Sequence, residues 1–180
     1  MKTMSVRSLT FAAVLAAVYA ALTLFLPMSS YGPVQVRFAE ALCVLPFFFP
    51  AATPGLFVGC IIANLFSPYI LDVVFGSAAT LLACLWTGWL NSRWLAPLPP
   101  VVCNAVIVGG EIAFYEVGLS PAFWSAYAFH AVTVGAGELL ACYAFGSVLL
   151  SALYRTDRCR SAIAPERLER IRGFGPIRSV

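Results

Sequence analysis

Five apolar tracts fill most of the first 153 residues, and the charges between them are too few to coat a water-facing surface. Of 180 residues, 61% are hydrophobic and 11% charged, against about 45–50% and about 25% in soluble domains. The bilayer is therefore the expected solvent, and the tracts read as membrane-spanning helices. The net charge of +3 matters less than its placement. Basic residues collect at the chain ends with no interleaved aromatic platform, so nothing points to nucleic acid as a partner.

Residues 9–26, 70–90 and 98–117 each suffice for one crossing. Residues 121–154 exceed what a crossing needs at about 1.5 Å per residue, so that helix is expected to tilt or emerge. The stretch from Arg37 to Phe66 is too long for one ordinary helix, and Pro46, Pro50, Pro54 and Gly55 interrupt it. Proline removes a helix hydrogen bond and clashes with the preceding turn, so two short helices are expected, at about 36–49 and 54–66. The first tract follows Lys2 and Arg7 as a signal peptide would. It is longer than the roughly 7–15-residue core of a signal and has no A-x-A site after it, which makes it a retained helix.

Charge placement tests this count. Lys2, Arg7, Arg93 and the seven arginines Arg155, Arg158, Arg160, Arg167, Arg170, Arg172 and Arg178 belong on the cytoplasmic side by the positive-inside rule. Both ends inside require an even number of crossings. The expectation is an all-α integral membrane protein of six transmembrane helices, with a membrane domain at 1–154 and a basic cytoplasmic tail at 155–180. That tail reads as a solvated end with helix potential near 165–172; contact with anionic lipid is the alternative.

Given this orientation, Arg37, Glu40, Asn64, Asp72, Glu111, Glu116, His130 and Glu138 all fall between the midplane and the outer face, with Asn104 deeper. A charge at mid-depth costs about 2.5–3.5 kcal/mol on insertion scales. Glu111 and Glu138 should therefore face an interior pocket open to the outside. For the others two readings stand side by side. Arg37 and Glu40, at i,i+3, either pair with each other or line the pocket. Asp72 and Glu116 read first as solvated helix ends, and His130 as a packing histidine. Asn64 and Asn104 read as hydrogen-bond glue between helices.

On helix 1, Ala12, Ala16 and Ala20 form one ridge and Ala13, Ala17 and Ala21 another. Such ridges let backbones approach closely, either within the bundle or against another subunit. Gly55 and Gly59 form a shorter ridge of the same kind. The six cysteines show no CxxC pair or Cys/His cluster, so no metal site or disulfide framework is expected. Five of them read as small buried side chains. No nucleotide-binding loop, GxSxG elbow or HExxH pair is present. The chain is expected to be no enzyme and to need no cofactor, and uphill movement of a solute would draw on a partner or an ion gradient.

Residues VQVRFAEALCVLPFFFPAATPGLFVGCIIANLF followed by LDVVFGSAATLLA resemble the queuosine-precursor transporter (QueT) family. These are substrate-binding (S) components of energy-coupling factor (ECF) transporters. The likeness runs from helix 1 into helix 6 and leaves out the tail. It implies a multi-pass protein of the bacterial plasma membrane that captures a 7-deazaguanine, such as pre-queuosine or queuine. The loop at 27–36 would cap the site. One transmembrane coupling subunit and two cytoplasmic ATPases would be its partners, and Ala12, Ala13, Ala16, Ala17 and Ala20 would form the docking surface.

Such a ligand suits the pocket. Its ring N–H and exocyclic amine are adjacent donors for one carboxylate, Glu111 or Glu138 with Glu40 assisting. Its carbonyl would accept from Arg37 or an asparagine such as Asn64. An aminomethyl cation would meet a second carboxylate, and His130 would add a polar contact. Tyr31, Trp124 and Phe129 are candidates for stacking, worth about 1–3 kcal/mol per base. An S component for another micronutrient, or a carrier coupled to ions or protons and working alone, are the alternatives.

Overall fold

A computed structural model describes residues 5–25 and 37–174. The expected capping loop with Tyr31, as well as Lys2 and Arg178, lies outside the described residues. Helices dominate, and no strand forms among the described residues beyond one isolated bridge between Ser92 and Arg172. The chain runs α1 (Val6–Phe25), α2 (Phe38–Phe47), α3 (Ala52–Asn64), a single turn Ile70–Val73, α4 (Phe75–Trp89), α5 (Leu98–Val117) and α6 (Phe123–Arg155). Two short helices follow, α7 (Asp157–Ser161) and α8 (Pro165–Arg170).

Among the described residues, four segments are long and apolar enough to cross a membrane: Val6–Phe25, Ile70–Trp89, Leu98–Val117 and Phe123–Arg155. The stretch expected to break into two short helices does so. Its first half, α2, is wound as a 3-10 helix with Pro46 inside it. Tight winding rises about 2.0 Å per residue against about 1.5 Å for an α-helix, so ten residues reach about 20 Å. A seven-residue π-wound segment, Leu140–Gly146, interrupts α6. It lies against α2, where a Cβ on Gly146 would come within 2.8 Å of Val44 Cγ1.

The two small-residue motifs pack on each other. A Cβ at Gly55 would stand 2.2 Å from the Ala12 carbonyl oxygen, and one at Gly59 would stand 2.6 Å from that of Ala16. These backbones touch because neither glycine has a side chain, which is how helices associate without a hydrophobic drive from lipid. This corrects the expected docking surface. Ala12, Ala16 and Ala20 are buried inside the bundle, and only Ala13 and Ala17 of the named alanines remain on the exposed face of α1.

At the opposite end from Arg37, the tail folds back onto the helix ends rather than standing free in solvent. Ile163 joins a core with Val44, Phe47, Phe48, Ala96 and Leu150, and Leu168, Ile171 and Phe174 pack against it. Phe174 stacks on Tyr154 at 4.2 Å. Arg93 lies over both Trp94 and Phe174, at 4.6 and 4.9 Å, and donates to the Gly173 carbonyl.

Candidate functional site

All six helices from α1 to α6, and the turn before α4, send polar side chains into one buried cluster. Arg37, the residue that opens α2, meets Asp72 in the turn before α4. The guanidinium donates to the carboxylate at 2.7 Å, and both side chains are 2% exposed. Glu40, in the first turn of α2, is fully buried; one of its oxygens accepts from the Tyr19 hydroxyl of α1 and from Thr80 of α4 at 3.1 Å. Asn64, at the end of α3, donates its amide to the Asp72 backbone carbonyl at 2.8 Å. Gly76 makes room for this: a Cβ there would stand 2.0 Å from Asp72 Oδ1 and 2.9 Å from Asn64 Nδ2.

α5 and α6 complete the cluster. Glu111 is 6% exposed and lies in the field of Asp72 and Arg37. Asn104 and Glu138 are both buried, and their side chains adjoin across the α5–α6 contact. The Cys142 thiol faces the Glu138 carboxylate at 3.7 Å and the Glu40 carbonyl at 3.5 Å.

A polar atom buried without a partner costs about 1–3 kcal/mol, more if charged. Five residues keep such atoms among the described residues: Glu40 (Oε2), Asn64 (Oδ1), Asp72 (Oδ1), Asn104 (both side-chain atoms) and Glu111 (both oxygens). They come from α2, α3, the turn before α4, and α5. So many uncompensated groups in one region do not stabilise the fold, and they make it the candidate site for polar matter.

Of the residues expected at the site, Arg37, Glu40, Asn64, Glu111 and Glu138 come together. His130 does not join them. Its Nε2 pairs with Glu116 at 2.5 Å, at the α5–α6 rim, and the Glu116 side chain is 58% exposed. Trp124 and Phe129 are 73% and 62% exposed on the outer face of α6, which removes both as stacking partners within the cluster. Three contributors were not among the expected site residues. Asp72 read as a solvated helix end, yet it is buried and paired with Arg37. Tyr19 is a lone hydroxyl in an alanine-rich run, and Thr80 offered no signal.

A family model described as QueT transporter matches residues 9–155. The chain belongs to the QueT transporter family. No curated protein and no solved structure matches it. As a member of the QueT transporter family it is a multi-pass membrane protein of transport. The matched stretch contains every residue of the polar cluster and stops at residue 155, ahead of α7 and α8.

Proposed function

We propose that this member of the QueT transporter family is the substrate-binding component of an ECF transporter and that its polar cluster holds a 7-deazaguanine, either a queuosine precursor or a salvaged base. The observation that carries the reading is Glu111, a buried carboxylate with neither oxygen bonded among the described residues. Two parallel acceptors match the adjacent N–H and amine donors of a guanine-type edge. Asn104, with its amide unbonded, supplies a donor and an acceptor for the rest of the ring. Asp72 Oδ1 and Glu40 Oε2 are further acceptors suited to a ligand amine.

The chain carries no nucleotide-binding loop, so energy comes from partners: a transmembrane coupling subunit and two ATPase subunits. In this reading α1 through α6 make six crossings, with both ends in the cytoplasm of a bacterial cell. The exposed face of α1 around Ala13 and Ala17 meets the coupling subunit.

The test is calorimetric binding of an aminomethyl-deazaguanine to the purified full chain, with mass spectrometry of any small molecule that co-purifies. Glu111→Gln converts one acceptor into a donor facing a donor and is expected to weaken binding by about a hundredfold, at about 1.4 kcal/mol per factor of ten. Full affinity in both Glu111→Gln and Glu138→Gln rejects the site. Robust gradient-driven uptake into proteoliposomes holding this chain alone rejects the role as a binding component.

A further inference from the structure

Arg167 lies outside the matched family region, yet it bonds to the ends of two helices within it, α2 and α4. Its Nε donates to the Phe47 carbonyl at 2.6 Å and its Nη2 to the Leu90 carbonyl at 3.0 Å. Phe47 is the last residue of α2, and Leu90 directly follows α4. Carbonyls at a helix C-terminus have no partner within the helix and carry the negative end of its dipole. A planar, permanently charged fork is suited to bridging two such ends at once. The guanidinium also lies 5.4 Å from the centre of the Phe47 ring.

The same two helices are joined a second time, at the polar cluster. Arg37 and Asp72 pair just before α2 and α4, and Thr80 of α4 donates to Glu40 of α2. The two sets of ties are separated by the length of α2, about 20 Å for ten residues of 3-10 helix. α2 is also packed along its length, with Ala39, Cys43 and Leu45 in one core cluster and Val44 and Phe47 in another. It is short, proline-interrupted and wound in the weaker hydrogen-bond geometry, so the ties at its two ends add to that packing in fixing its direction.

We propose that Arg167 is a positioning residue for the binding site: by clamping the far ends of α2 and α4 it fixes where Arg37 and Glu40 stand relative to Asp72 and Thr80. The rest of the tail holds the clamp in place. The Arg172 amide donates to the Asn91 carbonyl at 2.7 Å and its carbonyl accepts from the Arg93 amide at 3.1 Å, and Ile163 is buried in the core beneath. Releasing the fork removes the tie between these two helix ends, and the acceptors of the cluster lose part of their mutual register. The tail thereby sets ligand affinity from the opposite end of the bundle.

The affinity part of this inference rests on the polar cluster being the ligand site, so the experiment has one arm that needs no ligand. Arg167→Ala and Arg167→Lys are prepared in the full chain, and hydrogen exchange of the α2 amides is followed by mass spectrometry alongside calorimetric titration with an aminomethyl-deazaguanine. In Arg167→Ala, faster exchange is expected along all of α2, including the Phe38–Val44 half nearest the cluster. Binding is expected to weaken by about tenfold, the scale of one displaced charge-assisted hydrogen bond. Arg167→Lys keeps the charge but cannot bridge two carbonyls with a rigid fork, so it falls between the alanine variant and the parent. Exchange that quickens only in the tail and the last turn of α2 overturns the clamp, as does unchanged affinity in Arg167→Ala when the parent binds and Glu111→Gln weakens that binding. A parent that binds no deazaguanine sinks the proposed ligand while the exchange arm still decides the clamp. Should Arg167→Ala fail to give monodisperse protein, Arg167→Lys carries both readouts.

Discussion

Arg37 and Asp72 form a buried ion pair at 2.7 Å that joins the start of α2 to the turn before α4, 35 residues later. Two charges taken out of water gain little net stability from each other, but removing one strands the other. Arg37→Met or Asp72→Leu alone is expected to cost about 3–5 kcal/mol. The double variant should recover much of that loss, because it leaves neither charge behind. Thermal unfolding in detergent of the parent, both single variants and the double variant completes the cycle. Additive losses would show that the two side chains act separately.

Tyr19 and Glu40 present a second dependence. Among the described residues the hydroxyl is one of two donors to the Glu40 carboxylate, the other being Thr80, and the second Glu40 oxygen has no partner there. Tyr19→Phe keeps the ring and removes only the donor. An expected loss of about 1–3 kcal/mol follows from leaving a buried acceptor less satisfied. Thr80→Val, isosteric and also without a donor, should act on the same oxygen, so the two changes together should cost measurably more than either alone. A Tyr19→Phe protein with unchanged unfolding temperature would mean that the ring alone matters.

The helix layout was largely legible because its signals are local. Residues 98–117 were delimited as they occur, and prolines together with the excess length between Arg37 and Phe66 announced two short helices. What stayed hidden was pairing. Arg37 and Glu40 invited an i,i+3 contact, whereas the ion pair of Arg37 is with Asp72 and the bonds of Glu40 go to Tyr19 and Thr80. Helical periodicity says which residues share a face and nothing about which face of another helix they meet. Trp124 and Phe129 lie off the cluster for the same reason: Trp124 sits two residues into α6, but rotation about that axis decides whether it meets the cluster or the outer surface.

Trp124 supplies the contrasting prediction for binding. Its side chain is mostly exposed, and its ring contacts are with Phe123 and Tyr127 of the same helix. Substitutions away from buried networks usually stay within about 0.5 kcal/mol. Trp124→Ala should therefore leave deazaguanine affinity within about twofold of the parent. A loss comparable to that of Glu111→Gln, measured by the same titration, would place the ligand at the α5–α6 rim instead of in the cluster.

The two faces of α1 are expected to separate stability from partner dependence. On one face, Gly59 lets the α3 backbone lie against Ala16, and any Cβ there meets backbone atoms that cannot rotate away. Gly59→Leu forces α1 and α3 apart, and overpacking of this kind costs about 1–3 kcal/mol. On the other face, Ala13 and Ala17 are exposed among Val14 and Val18. Ala17→Leu adds bulk where nothing among the described residues opposes it, so unfolding should shift by less than about 0.5 kcal/mol. If that face meets the coupling subunit, Ala17→Leu should keep ligand binding by the isolated chain yet lose uptake in cells that supply the ATPase module. Gly59→Leu should lose stability first, with or without partners. Uptake that survives Ala17→Leu together with the matching Ala13→Leu change would remove this face as the docking surface, and the unfolding of Gly59→Leu would still report the internal contact.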